Sequence, residues 1–123
     1  LLPQVDILSL HCPLTDATRD LIGRRELQAM KNDALLINTA RGGIVNERDL
    51  VEALRAGEIG GAGFDVLTKE PPADGNVLLD AGLPNLIVTP HIAWASRESR
   101  QRVINIVAGN IEAYLAGSPV NVV

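Results

Sequence analysis

Four short runs rich in branched apolar residues recur along the chain: 5–10 (VDILSL), 34–38 (ALLIN), 63–66 (GFDV) and 86–89 (LIVT). Each is too short for a helix to be the preferred reading, so they read as mostly buried β-strands. Segments of helical periodicity lie between them. Pro13, which has no N–H to give a ladder, ends the first run near His11. Asp16 is a possible cap in the segment that follows, and residues 24–30 read as a short helix with Leu27 and Met30 turned inward. Asn46 can cap a helix over 47–56, where Leu50, Val51 and Leu54 form an apolar stripe and Gly57 makes the stop. Small residues over 60–63 lead into the third strand and permit close backbone approach. Residues 78–83 read as a turn or short helix. Ser96 begins the longest helix, along which Val103, Ile104, Val107, Ile111, Tyr114 and Leu115 recur until Gly117 and Pro119 stop it. Strands alternating with helices predict an α/β fold: right-handed crossovers and a parallel sheet covered by helices.

Composition narrows the possibilities. With 123 residues and 46% hydrophobic content, the chain is long enough for one core and too short for two independent domains. It opens on Leu1 without an initiator Met and enters a strand almost at once, which reads as a piece of a longer protein. A formal charge of -4 and a pI near 5.0 give no electrostatic reason to expect nucleic acid. Arg97, Arg100 and Arg102 are interrupted by Glu98 and read as a solvated helix face. Cys12 is the single cysteine, so no intrachain disulfide can form, and a reducing compartment, the cytoplasm, is expected. Apolar stretches break before reaching about 18 residues, so a soluble protein without a membrane span is expected. His11, Cys12 and His91 lack paired ligand spacing, which argues against a metal site.

Three polar residues stand just past predicted strands: Arg41, Glu70 and His91. In open parallel sheets ligands sit beyond the carboxyl ends of the strands, so the three positions support one another. A guanidinium presents a planar fork matched to a carboxylate, and Gly42 and Gly43 leave a ligand room beside it. An imidazole exchanges protons near neutral pH, and Glu70 is an available carboxylate to stabilise its charged form. Two unit charges about 4 Å apart at an effective dielectric near 20 attract by roughly 4 kcal/mol. Such a trio meets what reduction of a 2-keto acid asks of a protein: a cation for the carboxylate and an acid for the nascent alkoxide, with a nicotinamide donating hydride. Asp65 interrupts an apolar run and needs a polar partner, which could be a cofactor group or a neighbouring loop. His11, Cys12 and Pro13 end the first strand and line the same crevice. No GxGxxG occurs, and Gly60-Gly61-Ala62-Gly63 precedes a strand where a pyrophosphate loop would join strand to helix.

The stretches LHCPLTDATRDLIG (10–23), LLINTARGGIVNERDLVEALRAGEIGGAGFDVLTKEPP (35–72) and NLIVTPHIAWAS (85–96) resemble the D-isomer-specific 2-hydroxyacid dehydrogenases, and HIAWAS with Trp94 is most similar to the glycerate dehydrogenase or hydroxypyruvate reductase branch. Asn46 stands where an acid is common and Val77 where a proline is common; formate dehydrogenases, with Gln at the place of Glu70, resemble the chain less. The resemblance implies the second half of a Rossmann-like doubly wound sheet with a long C-terminal helix. Residues 1–123 would then be a partial NAD(P)-binding domain, without its phosphate-binding half and most of the substrate domain. It further implies that Arg41 binds substrate, His91 donates the proton and Glu70 orients His91. The cofactor, NAD or NADP, would meet Asp65 on its nicotinamide side. His11, Cys12, Pro13, Thr39, Ala40, Arg41 and His91 would line its cleft. The full-length protein is expected to be a homodimer acting on a small 2-keto or 2-hydroxy acid, and the 123 residues alone to be inactive. A nucleotide-sensing corepressor or scaffold of the same superfamily is the alternative. The first strand would lie beside the absent half of the sheet, an unpaired edge that invites self-association.

Overall fold

The strands step across the sheet in the order in which the chain supplies them. The computed structural model describes residues 1–122, with β1 (Ile7–Leu10), β2 (Leu35–Asn38), β3 (Gly61–Phe64) and β4 (Leu86–Val88) in the order β1-β2-β3-β4, all parallel. The connections supply α1 (Arg24–Gln28), α2 (Glu47–Ala56) and α3 (Val77–Asp80). Right-handed crossovers that all step one way lie on one face of a sheet. Burial alternates to match: Leu10, Leu36, Asn38, Ala62 and Phe64 are buried, while Ile7, Leu35 and Ile87 on the opposite pleat are exposed. The core is therefore the inner pleat packed with Leu27 and Met30 near α1, Leu50, Val51 and Leu54 of α2, and Leu78 of α3.

Local chemistry explains each boundary. Asn46 accepts the Asp49 N–H at 3.2 Å and Gly57 adopts φ +68, which bounds α2 at the expected residues. β3 runs Gly61–Phe64 and not 63–66, so Asp65 and Val66 lie past its end. Glycine carries no apolar signal, yet it pairs as well as any residue and leaves room for neighbours: a Cβ on Gly61 would stand 3.2 Å from Leu35 Cδ2, and one on Gly63 3.1 Å from Ile37 Cδ1. Gly60 makes the close approach expected of this stretch, since a Cβ there would fall 2.6 Å from the Asp33 carbonyl oxygen. β1 begins at Ile7, two residues later than the apolar run, where the ladder with β2 starts opposite Leu35; Leu2–Gln4 forms a 3-10 turn before it. Asp16 caps no helix; Thr18 Oγ1 instead donates to the Pro13 carbonyl at 2.7 Å and accepts the Thr15 N–H at 2.7 Å, closing a turn.

By its contacts the chain divides into two compact units, Leu1–His91 and Ile92–Val123. The first holds the sheet and its core. The second is built on α4 (Arg97–Leu115), started by Ser96 Oγ accepting the Ser99 N–H at 3.1 Å and stopped by Gly117 at φ +74. Its expected apolar residues, from Val103 to Leu115, are at least half exposed. No helix among the described residues is long and apolar enough to cross a membrane.

Neighbouring leucines of β2 test which pleat faces the core. Leu36→Ala removes a fully buried side chain and is expected to lower the stability of the 123-residue chain by about 2–5 kcal/mol in urea unfolding. Leu35→Ala, on the exposed pleat, should cost less than about 1 kcal/mol. Equal losses would show that the pleats are assigned wrongly.

Candidate functional site

All three chemically suggestive side chains emerge beyond the carboxyl end of the sheet: Arg41 follows β2, Glu70 follows β3 and His91 follows β4. Two of them meet. His91 Nδ1 lies 2.5 Å from Glu70 Oε2, and the other carboxylate oxygen, Oε1, accepts the Leu67 N–H at 2.7 Å. An ionised carboxylate only accepts hydrogen bonds, so the proton of this pair sits on Nδ1 and Nε2 is the ring nitrogen that Glu70 does not engage. Partial burial pushes the Glu70 carboxyl upward, but the hydrogen bonds from His91 and the Leu67 N–H, with the charge of His91, outweigh it and hold the group below its ordinary value of 4.5. Asp65 opposes this weakly through its like charge.

The backbone at His91 is held in the left-handed region at φ +56, which costs a side-chain-bearing residue roughly 1–2 kcal/mol. The surroundings enforce it: the Thr89 N–H donates to the Phe64 carbonyl at 2.8 Å and the His91 N–H to the Thr89 carbonyl at 3.0 Å. A pocket of about 310 Å³ adjoins the pair, lined on its apolar side by Leu67, Pro71, Pro72, Leu79 and Val88 and on its polar side by Asp65, Glu70, Thr89 and His91. Asp65 is buried, and the polar partner its position demands includes Thr89, whose hydroxyl donates to Oδ1 at 2.5 Å.

Arg41 stands in a different cavity. With His11, Cys12, Pro13, Thr39 and Ala40 it lines a cleft of about 420 Å³ beyond β1 and β2, and its Nη1 donates to the Ala40 carbonyl at 2.7 Å. The trio is thus a joined pair, with Arg41 in a separate cleft. Ser9 Oγ and His11 Nε2 are 2.8 Å apart at its margin.

Asn38 escaped the sequence reading. It is buried, its Oδ1 accepts the Ala40 N–H at 3.1 Å and its Nδ2 donates to the Arg41 carbonyl at 2.9 Å, so one amide holds the turn from which the guanidinium springs. Its signal was present: an Asn at the end of an apolar run, just before a loop, commonly folds that loop onto its own side chain. Gly42 continues the turn so closely against the next loop that a Cβ would fall 1.9 Å from the Leu67 carbonyl oxygen, so the space beside it is taken by backbone and not left for a ligand as expected.

The pH dependence of stability follows from Glu70. A carboxyl held low in the folded state contributes stability above its unfolded value of 4.5 and loses it as pH falls through the lower folded value. The stability advantage of the parent chain over Glu70→Gln should therefore shrink on acidification; an advantage constant from about pH 6 to pH 3 in urea unfolding would contradict the pairing.

Comparison with known proteins agrees with this architecture. The profile of the D-isomer specific 2-hydroxyacid dehydrogenase NAD binding domain matches residues 1–93. Glycerate dehydrogenase of Methylorubrum extorquens is 57% identical over 123 residues, which is 100% of this chain and 39% of the relative. Hydroxypyruvate reductase of Blautia hydrogenotrophica is 45% identical over 123 residues, again 100% of this chain and 38% of the relative. Among solved structures, D-lactate dehydrogenase with NAD+ from Lactobacillus jensenii superposes with a TM-score of 0.88 at 37% identity, covering 99% of this chain and 40% of that one. The chain spans less than two fifths of the length of these two sequence relatives. All three are named as oxidoreductases, and they lend the corepressor reading no support. The Rossmann-like half-sheet expected of the sequence is the one observed, and the chain belongs to the NAD binding domain family of the D-isomer specific 2-hydroxyacid dehydrogenases.

Proposed function

We propose that this chain is the part of an NAD(P)-dependent D-2-hydroxyacid dehydrogenase that carries its acid/base pair, and that the whole protein interconverts a small 2-keto acid and the D-2-hydroxy acid, of the hydroxypyruvate/glycerate or glyoxylate type. The observation that carries the reading is the 2.5 Å contact of His91 Nδ1 with Glu70 Oε2 beyond the carboxyl end of a parallel sheet, in a chain of this family.

The cleft of His11, Cys12, Pro13, Thr39, Ala40 and Arg41 suits an anionic dinucleotide: it lies at the strand ends, it holds a guanidinium, and none of its six lining residues is a carboxylate. When bound there, the nicotinamide supplies the hydride. Asp65, an acceptor buried beside Thr89, and His91 complete that binding set. Arg41 takes the substrate carboxylate in its fork and polarises the adjoining carbonyl. His91 delivers a proton to the nascent alkoxide from Nε2 while Glu70 holds Nδ1–H and fixes the orientation of the ring. The oxidation direction runs the same proton back to Nε2.

The proposal extends to the whole protein in two further respects. It acts as a cytoplasmic homodimer, with the single cysteine in keeping with a reducing compartment. Residues 1–123 are one portion of its nucleotide domain, with the remaining phosphate-binding and substrate-binding surfaces on other segments, so the isolated chain should not turn over hydroxypyruvate with NADH or NADPH.

The test uses the full-length protein with hydroxypyruvate and glyoxylate. His91→Asn should lower kcat by about 10²–10⁴-fold, and Arg41→Lys, which loses the fork, should act mainly through KM for the keto acid. Undiminished kcat in His91→Asn would remove the proposed role.

A further inference from the structure

Glu47 is the first residue of α2, yet its carboxylate reaches across to the connection between β3 and α3. Oε1 accepts the Thr68 N–H at 2.7 Å and Oε2 accepts from Asn76 Nδ2 at 2.8 Å. Asn76 in turn caps α3 by accepting the Leu78 N–H at 2.8 Å. A single half-buried carboxylate therefore pins both ends of the segment that bears Glu70. Two successive amides of that segment are taken by two different acids, Leu67 N–H by Glu70 and Thr68 N–H by Glu47. Between these fixed points, Thr68, Lys69, Glu70 and Pro71 are exposed, so burial contributes little to placing them. Gly42 supplies the third support, packed backbone to backbone against Leu67 and Thr68.

We propose that Glu47 is a positioning residue for the acid/base pair: by holding the Thr68 amide it sets the Leu67 amide beside it, and through that the Glu70 carboxylate against His91. The inference rests on the proposed role of Glu70 and His91, but its test is independent of turnover. The competing account is that Glu47 serves only as an acid at a helix start, favoured by the macrodipole. That account gives Glu70 no reason to notice a change at residue 47 beyond simple charge. Removing a negative charge would ease ionisation of Glu70 and move its midpoint down, whereas loss of the Leu67 hydrogen bond moves it up. The sign therefore separates the two.

The experiment is a carboxyl ¹³C NMR titration of Glu70 in the 123-residue chain and in the full-length protein, with amide spectra showing that each variant is folded. Glu47→Ala should raise the Glu70 midpoint by about half a pH unit or more. Glu47→Asp keeps the charge and the helix start but withdraws the carboxylate by one methylene, and should raise it likewise; this variant decides the matter if Glu47→Ala does not fold. Glu47→Gln keeps a carbonyl acceptor for Thr68 and, having lost only the charge, should leave the midpoint at or slightly below the parent's. In the full-length protein, Glu47→Asp should lower kcat about tenfold with KM for the cofactor unchanged, and shift the acidic limb of the pH profile. An unmoved or lowered midpoint in folded Glu47→Asp overturns the proposal, as does an equal rise in Glu47→Gln and Glu47→Ala. A full-length protein with no dehydrogenase activity would count against the proposed reaction and leave the NMR result to judge Glu47.

Discussion

Parallel strands laid down one after another in a single direction impose most of what this molecule does. Because each strand starts at the same edge, every return segment crosses the same pleat, and Leu10, Leu36, Ala62 and Phe64 share one core with α1, α2 and α3. The same rule sends the loops after β1, β2, β3 and β4 to one rim. Chemistry then depends on what those loops carry and how firmly they are held.

The rim is organised by side chains satisfying main-chain groups. Asn38 folds residues 39–41 onto itself, Glu70 takes the Leu67 amide and Glu47 the Thr68 amide. Exposed loops have few apolar contacts to fix their shape, so these bonds to backbone donors do that work. The Glu70 carboxylate gains from its own bond: the amide that places it also favours its ionised form. One contact thus serves both placement and ionisation, the latter together with His91.

Local signals were legible in the sequence, and distant ones were not. α2 was readable to the residue because its start and stop lie within it, in the Asn46 side chain and the Gly57 backbone. β3 was displaced by two residues because Gly61 and Gly63 hide their pairing from any pattern built on apolar side chains. The positions of Arg41, Glu70 and His91 beyond the strands followed from topology, and the contact of Glu70 with His91 followed from chemistry. That Arg41 would open into a separate cleft did not, since cleft walls are made by residues far apart in the chain. Glu47 was equally hidden: within the sequence it is one more acid at a helix start, and only its partners at Thr68 and Asn76, more than twenty residues away, distinguish it.

Glu70 has two oxygens and each is committed to a different neighbour, one to the main chain and one to the imidazole. A carboxylate so divided cannot swivel without surrendering a bond. The ring is thereby tied to the main chain through one side chain, and a displacement of His91 toward or away from a reacting molecule either breaks its contact with Oε2 or pulls on the bond that Glu70 makes with the Leu67 amide.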